Sequence, residues 1–305
     1  MCDHNIVLDT DSYKASHWLQ YPPKTTKVFS YIESRGGRHR ETVMFGLQYI
    51  MKKYLERKVT RQDVHEAKAF FAAHGLPFNE VGWHHVIDDP LGYLPLKIKA
   101  VPERMVVPTG NALVTVENTC DRCFWLTSWV ETMLLRVWYP ITVATESREI
   151  KKLIFKFLEQ SSDDPKAEIS FKLHDFGARG VSSQESACIG GAAHLVNFMG
   201  SDTVTGVLTA NRYYNEPMSA FSIPAAEHST VTSWGRENEV ESYRNMLKSF
   251  AKPGALVAVV SDSYDIYNAC ENIWGGVLQQ EVIDSGATIV VRPDCGDPAR
   301  AVLKC

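Results

Sequence analysis

The sequence predicts an α/β protein in two parts: a mixed α/β domain over residues 1–162 and an incomplete (β/α) barrel over 163–305. Three observations carry this reading. A chain of 305 residues has room for two domains at about 100–200 residues each. The polar run Ser161-Ser162-Asp163-Asp164-Pro165 ends in a proline that cannot continue the preceding helix, so it marks a linker. Beyond it, strand-like runs alternate with helical stretches, the pattern of a parallel sheet or barrel.

In the first part, Met44, Leu47, Ile50, Met51 and Tyr54 fall at helical spacing. Thr60 followed by Asp63 reads as a helix N-cap, and Val64, Ala67, Phe70 and Phe71 recur until Gly75 stops the run. Leu94, Leu96, Ile98 and Ala100 alternate with other residues, as do Leu113 to Val116, and this predicts two antiparallel strands. Phe124 to Tyr139 reads as a buried helix stopped by Pro140, followed by a long helix from about Glu146 to Glu159. In the second part the strand-like runs are Ile169–Leu173, Thr203–Val207, Phe221–Ile223, Leu256–Val260 and Thr288–Val291. They are fewer than the roughly eight strands that close a small barrel.

A hydrophobic fraction of 45% with 22% charged residues is ordinary globular composition. Lys and Arg number 32 against 36 Asp and Glu, for a net charge of −4, so no basic field draws the chain to nucleic acid or an anionic membrane. The apolar stretch from Phe124 to Tyr139 contains Glu131 and Arg136 and falls short of the ~20 residues that span a bilayer. The opening Met1-Cys2-Asp3-His4 lacks the basic and apolar regions of a secretory signal. Seven cysteines, an odd number, fit a reducing compartment, and a cytoplasmic location is expected.

Polar residues collect after the strand-like runs: His174-Asp175, Glu227-His228, Ser261-Asp262, and Arg292 with Asp294. In barrels and open parallel sheets, function gathers at the carboxyl ends of strands. Arg292-Pro293-Asp294 sets a cation and a carboxylate on one turn, suited either to a phosphorylated sugar or to a local ion pair. Gly177-Ala178-Arg179-Gly180 before Ser182-Ser183-Gln184-Glu185 reads as an anion site at a helix start or as an ordinary turn. His228 is a general base, a phosphate acceptor or a hydrogen-bonded histidine. Cys120-Asp121-Arg122-Cys123 has metal or redox spacing but no second pair at zinc-ribbon distance, so it reads as structural. His84-His85 reads as a helix or loop pair. No metal-ligating set is expected, and neither a Walker A loop nor Gly-x-Gly-x-x-Gly occurs.

Asp11-Ser12-Tyr13-Lys14, Leu173 to Gly180, Asp202-Thr203-Val204, Pro224 to Ser229, Ser261 to Asp265 and Arg292-Pro293-Asp294 stand in an order that resembles the nicotinamide phosphoribosyltransferase family, type II phosphoribosyltransferases. Trp138 to Thr145 extends the match, which runs through nearly all of the chain. The resemblance implies an irregular (β/α) barrel of the type II phosphoribosyltransferase kind beside the mixed domain, and a homodimer with its active site at the interface. It implies transfer of phosphoribose from phosphoribosyl pyrophosphate to nicotinamide, with Mg²⁺ on the pyrophosphate and ATP stimulating through a phosphohistidine. On that basis Phe176 and, from the partner chain, Tyr13 stack on the pyridine ring. Asp202 accepts the amide N–H, and Arg179 meets the carbonyl and a nearby phosphate. Arg292 holds phosphate, Asp294 holds ribose hydroxyls, and Arg35 reaches the partner's phosphate site. His174 and Ser222 belong to the same substrate side. His228 is the phosphorylatable histidine, with Asp262 near it among the catalytic groups.

The family continues past the Arg-Pro-Asp turn, so the chain is expected to lack the C-terminal barrel strands, which a second chain could supply. The other readings are an inactive truncated homologue that acts in binding or assembly, and a nicotinate phosphoribosyltransferase. Asp202 opposes the latter, because it would face the substrate's carboxylate with like charge.

Overall fold

Alternation of buried and exposed residues along the strands builds a three-stranded antiparallel sheet in the first part of the chain. Its strands β1 (Phe29–Glu33), β3 (Leu96–Ala100) and β5 (Ala112–Asn118) stand in the order β1-β5-β3. A second antiparallel pair joins β2 (Glu41–Val43) to β4 (Val106–Pro108). The predicted pairing of the Leu94–Ala100 and Leu113–Val116 runs is present, with Ile98 opposite Val116. The computed structural model describes residues 5–89 and 91–305, so the Met1 to His4 opening lies outside the described residues. Contacts divide the chain into two compact units, Met1–Phe221 and Ser222–Cys305.

The core of the first unit is aromatic. Trp83, Trp125 and Trp129 are at most 3% exposed and meet edge to face at centroid distances of 4.9, 5.3 and 5.6 Å, the geometry that ring quadrupoles favour. Helix Arg61–His74 begins as predicted: the Thr60 hydroxyl accepts from the Asp63 N–H, the Asp63 carboxylate accepts from the Thr60 N–H, and Gly75 ends the helix at φ +85°. The Met44–Tyr54 run forms helix Leu47–Ile50 continued by a π-helical turn over Met51–Leu55.

Three expectations are corrected. Phe124 to Tyr139 is not one helix: it forms short helices Leu126–Trp129 and Glu131–Leu135, after which Trp138–Ser161 runs for 24 residues. Pro140 sits in the first turn of this long helix rather than stopping the one before it, because there the missing N–H would have had no partner. The Ile169–Leu173 run gives a 3₁₀ turn, Ile169–Phe171, and strand β6 is only His174–Asp175. Thr203–Val207 opens a helix, Val204–Tyr214, whose buried Gly206, Thr209 and Ala210 recur at helical spacing. Short apolar runs carry too few repeats to separate the two periods.

The 162/163 boundary lies inside the first unit. The long helix ends there, Asp164 caps the short helix Pro165–Glu168, and the Ser162 hydroxyl donates to Glu168 at 2.6 Å. Helix Gln184–His194, beyond the supposed linker, packs Ala192 and Ala193 into one cluster with Ala144, Val43 and Phe45. It crosses helix Val204–Tyr214 at bare backbone: a Cβ on Gly206 would lie 2.7 Å from the carbonyl carbon of Gly191. Strand β6 pairs in parallel with β7 (Gly200–Ser201), and Phe221 extends the pair by a single parallel bridge to Gly200.

In the second unit β8 (Leu256–Val260) and β9 (Thr288–Arg292) are parallel, Leu256 opposite Thr288 and Val260 opposite Arg292, and Ala225 bridges Ala258 in parallel. Val257, Val259 and Val260 are wholly buried with Tyr243 and Leu278. The Tyr243 ring lies flat on Trp274 at 4.9 Å. Among the described residues no closed barrel is formed, and no helix is long and apolar enough to cross a membrane.

Candidate functional site

In each unit, a run of parallel segments delivers polar side chains at its carboxyl ends, as the sequence pattern requires. In the second unit, His228 opens helix His228–Thr232 three residues after the Ala225 bridge, Asp262 follows β8 by two residues, Arg292 closes β9 and Asp294 lies just beyond. The local fold holds His228 by a reciprocal cap: the Glu227 carboxylate accepts from the Thr230 N–H and the Thr230 hydroxyl accepts from the Glu227 N–H.

Asp262 is the hub of this cluster. Its side chain is 7% exposed. One oxygen, Oδ1, pairs with His228 Nε2 at 2.9 Å, and the other, Oδ2, accepts from the backbone N–H groups of Asp294 at 2.8 Å and Cys295 at 2.7 Å. Burial works to raise its pKa, but the Asp294 N–H, His228 and the Cys295 N–H outweigh it and hold the carboxyl below its usual value. A carboxylate at Nε2 fixes the proton of a neutral imidazole there and leaves Nδ1 with its lone pair. Asp294 Oδ2 stands 3.8 Å from that Nδ1, and its Oδ1 stands 3.7 Å from Arg292 Nη2. Arg292 also donates through Nη1 to the Ala226 carbonyl at 3.1 Å, which ties the guanidinium to the segment before His228. A His228 ring nitrogen, an Asp262 oxygen and the Cys295 sulfur lie within 4.8 Å of one another.

In the first unit, His174 Nε2 meets Asp202 Oδ2 at 3.0 Å, and the ring of His174 lies 4.6 Å from that of Phe176. Phe176 is 56% exposed, an aromatic face at a strand end. The backbone sets this arrangement: the Asp202 N–H donates to the Asp175 carbonyl at 2.8 Å, and the Gly177 N–H donates to Asp175 Oδ1 at 2.7 Å. Arg179 is exposed on the 3₁₀ turn Gly177–Arg179, short of helix Gln184–His194, which Ser183 caps. A cavity of about 240 Å³ is lined by His174, Asp175, Gly177, Gly191, His194 and Thr203 among others. Tyr13 sits on the 3₁₀ segment Ser12–Leu19 with its ring edge-on to His17 at 5.0 Å, and Arg35 is exposed on the loop after β1. Ser222, exposed, is the first residue of the second unit.

Two family models match the chain: "Nicotinamide phosphoribosyltransferase, N-terminal domain" over residues 5–98 and "Nicotinate phosphoribosyltransferase (NAPRTase) family" over 171–305. The chain is 59% identical over 301 residues to a nicotinamide phosphoribosyltransferase of Xanthomonas campestris pv. campestris (strain 8004), covering 99% of this chain and 64% of that protein. It belongs to the nicotinamide phosphoribosyltransferase family. A second member, from Acinetobacter baylyi (strain ATCC 33305 / BD413 / ADP1), is 32% identical over 96% of this chain and 62% of its own length. The chain thus spans a little under two thirds of these relatives. The crystal structure of human nicotinic acid phosphoribosyltransferase superposes with a TM-score of 0.63 at 15% identity, over 97% of this chain and 63% of that one, and so shares the fold.

Two further polar side chains of the first unit, one of them His194, which sequence reasoning missed, are tied into its packing. His194, buried, bonds the Gly200 carbonyl and the Ser147 hydroxyl, each at 3.2 Å, and burial lowers its pKa. Glu185 receives Tyr49 at 3.0 Å, Lys53 at 2.8 Å and the Tyr54 hydroxyl. Burial opposes its charge, yet Lys53 and the tyrosines hold its pKa below the usual value. Cys295 acts on Asp262 through its backbone N–H, which no residue identity announces, and through its thiol as well.

Proposed function

We propose that the chain carries the chemistry of a nicotinamide phosphoribosyltransferase: phosphoribose passes from phosphoribosyl pyrophosphate to nicotinamide, giving the mononucleotide and pyrophosphate. The observation that carries this is the Asp202 carboxylate, fixed by His174 beside the exposed ring of Phe176 at parallel strand ends. A flat, neutral pyridine amide offers a π-face to Phe176 and an N–H to Asp202. A pyridine carboxylate would set like charges together at a cost of several kcal/mol.

The reaction breaks the ribosyl C–O bond to pyrophosphate and forms a C–N bond to the pyridine nitrogen, with positive charge developing on the sugar. Arg292, tethered to the Ala226 carbonyl, supplies a fixed cation for phosphate, and Asp294 accepts from ribose hydroxyls. Arg179 serves the substrate carbonyl, Ser222 the same side, and Tyr13 and Arg35 act from a second copy in a homodimer. His228, its Nε2 held by Asp262, presents Nδ1 as the atom to be phosphorylated when ATP is hydrolysed. Mg²⁺ takes oxygen ligands and retains substrate phosphate in its shell. With both Asp262 oxygens engaged by protein donors, exposed Asp294 is the carboxylate suited to share it, and the ion would neutralise the leaving pyrophosphate. The reading includes a cytoplasmic setting and completion of the barrel by further strands.

The test is formation of the mononucleotide by the complete protein from nicotinamide or nicotinate. Asp202→Asn is expected to lower the preference for nicotinamide at least about tenfold, a change of ~1.4 kcal/mol, and His228→Ala to abolish the ATP stimulation while basal transfer persists. Unchanged selectivity in Asp202→Asn would overturn the assignment.

A further inference from the structure

The Cys120–Cys123 pair, which sequence spacing alone leaves without a partner set, acquires one in the fold. Helix Glu80–Asp88 carries His85 to the end of β5, where Cys120 precedes the 3₁₀ turn Asp121–Cys123. His85 Nε2 stands 3.2 Å from Cys120 Sγ, and a His85 nitrogen and both sulfurs lie within 4.8 Å of one another. We infer that His85, Cys120 and Cys123 form a binding site for a thiophilic divalent cation of the zinc class, separate from the phosphoribosyl chemistry.

The donor set is the first argument. Two thiolates and an imidazole suit zinc, and Cys-x-x-Cys is its usual local spacing. Geometry is the second. Bonds of about 2.3 Å to sulfur and 2.0–2.1 Å to nitrogen in a tetrahedral shell place the donors about 3.5–3.8 Å apart. Shifts of an ångström or less bring the observed atoms to that spacing. Rigidity is the third. Asn118, wholly buried, donates to the Thr26 and Cys120 carbonyls at 2.8 and 2.9 Å and accepts from the Val28 N–H at 2.8 Å, while the Thr119 N–H donates to the Pro95 carbonyl at 2.8 Å. The segment that offers the cysteines is thereby held in place before any ion arrives. Binding would release the two thiol protons to solvent and leave the fourth position to water. Its position suits a structural role: His85 lies two residues after Trp83 and Cys123 two before Trp125, so the ion would tie together both sides of that buried tryptophan contact.

The experiment uses the full chain, purified under reducing conditions without a metal-chelating tag. Metal content is measured by mass spectrometry, and Co²⁺ is titrated into the metal-free protein while the thiolate-to-Co²⁺ charge-transfer absorption is followed. The expected result is one tightly held zinc and a two-thiolate cobalt spectrum. Both are lost in His85→Gln and in Cys120→Ser, which is only half-buried and keeps the native circular dichroism. Loss of a ligand exceeds the roughly 10–100-fold weakening that follows loss of a ligand's outer partner. Cys295→Ser, at the other cluster, leaves binding intact. A reduced wild-type chain that gives no thiolate–cobalt band, binding that survives both His85→Gln and Cys120→Ser, or a Cys120–Cys123 disulfide persisting under reductant would each overturn the assignment.

Discussion

Asp262 shows how much one side chain can organise. Its pKa is lowered in the fold, so the sign of its linkage is fixed: the stability it contributes is present above its ordinary value near 3.9 and is lost as pH falls through the lower folded value. Asp262→Asn is therefore expected to cost about 1.5–3 kcal/mol at neutral pH, the scale of hydrogen bonds to a charged group. It should also flatten the fall in stability below about pH 4, as followed by urea unfolding across a pH series. His174 depends on a neighbour with no side chain. A Cβ on Gly200 would lie 2.7 Å from His174 Nδ1, so Gly200→Ala must push the imidazole off Asp202. The expected cost is about 1–3 kcal/mol, with a displaced His174 ring signal in the NMR spectrum.

At the scale of elements, the sequence was readable where local chemistry decides the outcome and opaque where tertiary contact does. The Thr60–Asp63 box is a local rule, and Thr60→Ala is expected to cost about 1 kcal/mol. The strand-end positions of Asp262 and Arg292 were legible because β8 and β9 are apolar runs flanked by polar residues. The Thr203–Val207 run misled because its helix is justified by a partner, the Gly191 backbone, which lies elsewhere in the sequence. Gly206→Ala is expected to destabilise the first unit by about 1–3 kcal/mol, measured by denaturant unfolding, since the obstacle is main chain and cannot swing aside. His85 reads in the sequence as half of a helix or loop pair, and it lies on a helix, but its approach to Cys120 is hidden for the same reason, 35 residues separating the two.

For the whole molecule, the division at Phe221/Ser222 separates the buried clusters: among the described residues, two lie in the first unit and one in the second. The proline-terminated run at 161–165 resembled a border because polar residues and a proline also mark a helix-to-helix turn within one body. Stability should then be local in hydrogen exchange. Met133→Ala is expected to speed exchange in the Trp-lined core, and Val259→Ala to speed it in β8 and β9, each leaving protection in the other core within about twofold of wild type.

The clamp between Asp262 and the turn after β9 depends on spacing rather than on identity. Proline at 293 has no N–H to give, so the grip falls on the amides of the next two residues. The two amides would still reach Asp262 if the side chains beside them changed, but not if this stretch grew longer. One extra residue between Pro293 and Asp294 would bring the wrong amides to the carboxylate and carry Asp294 out of reach of Arg292 and the imidazole.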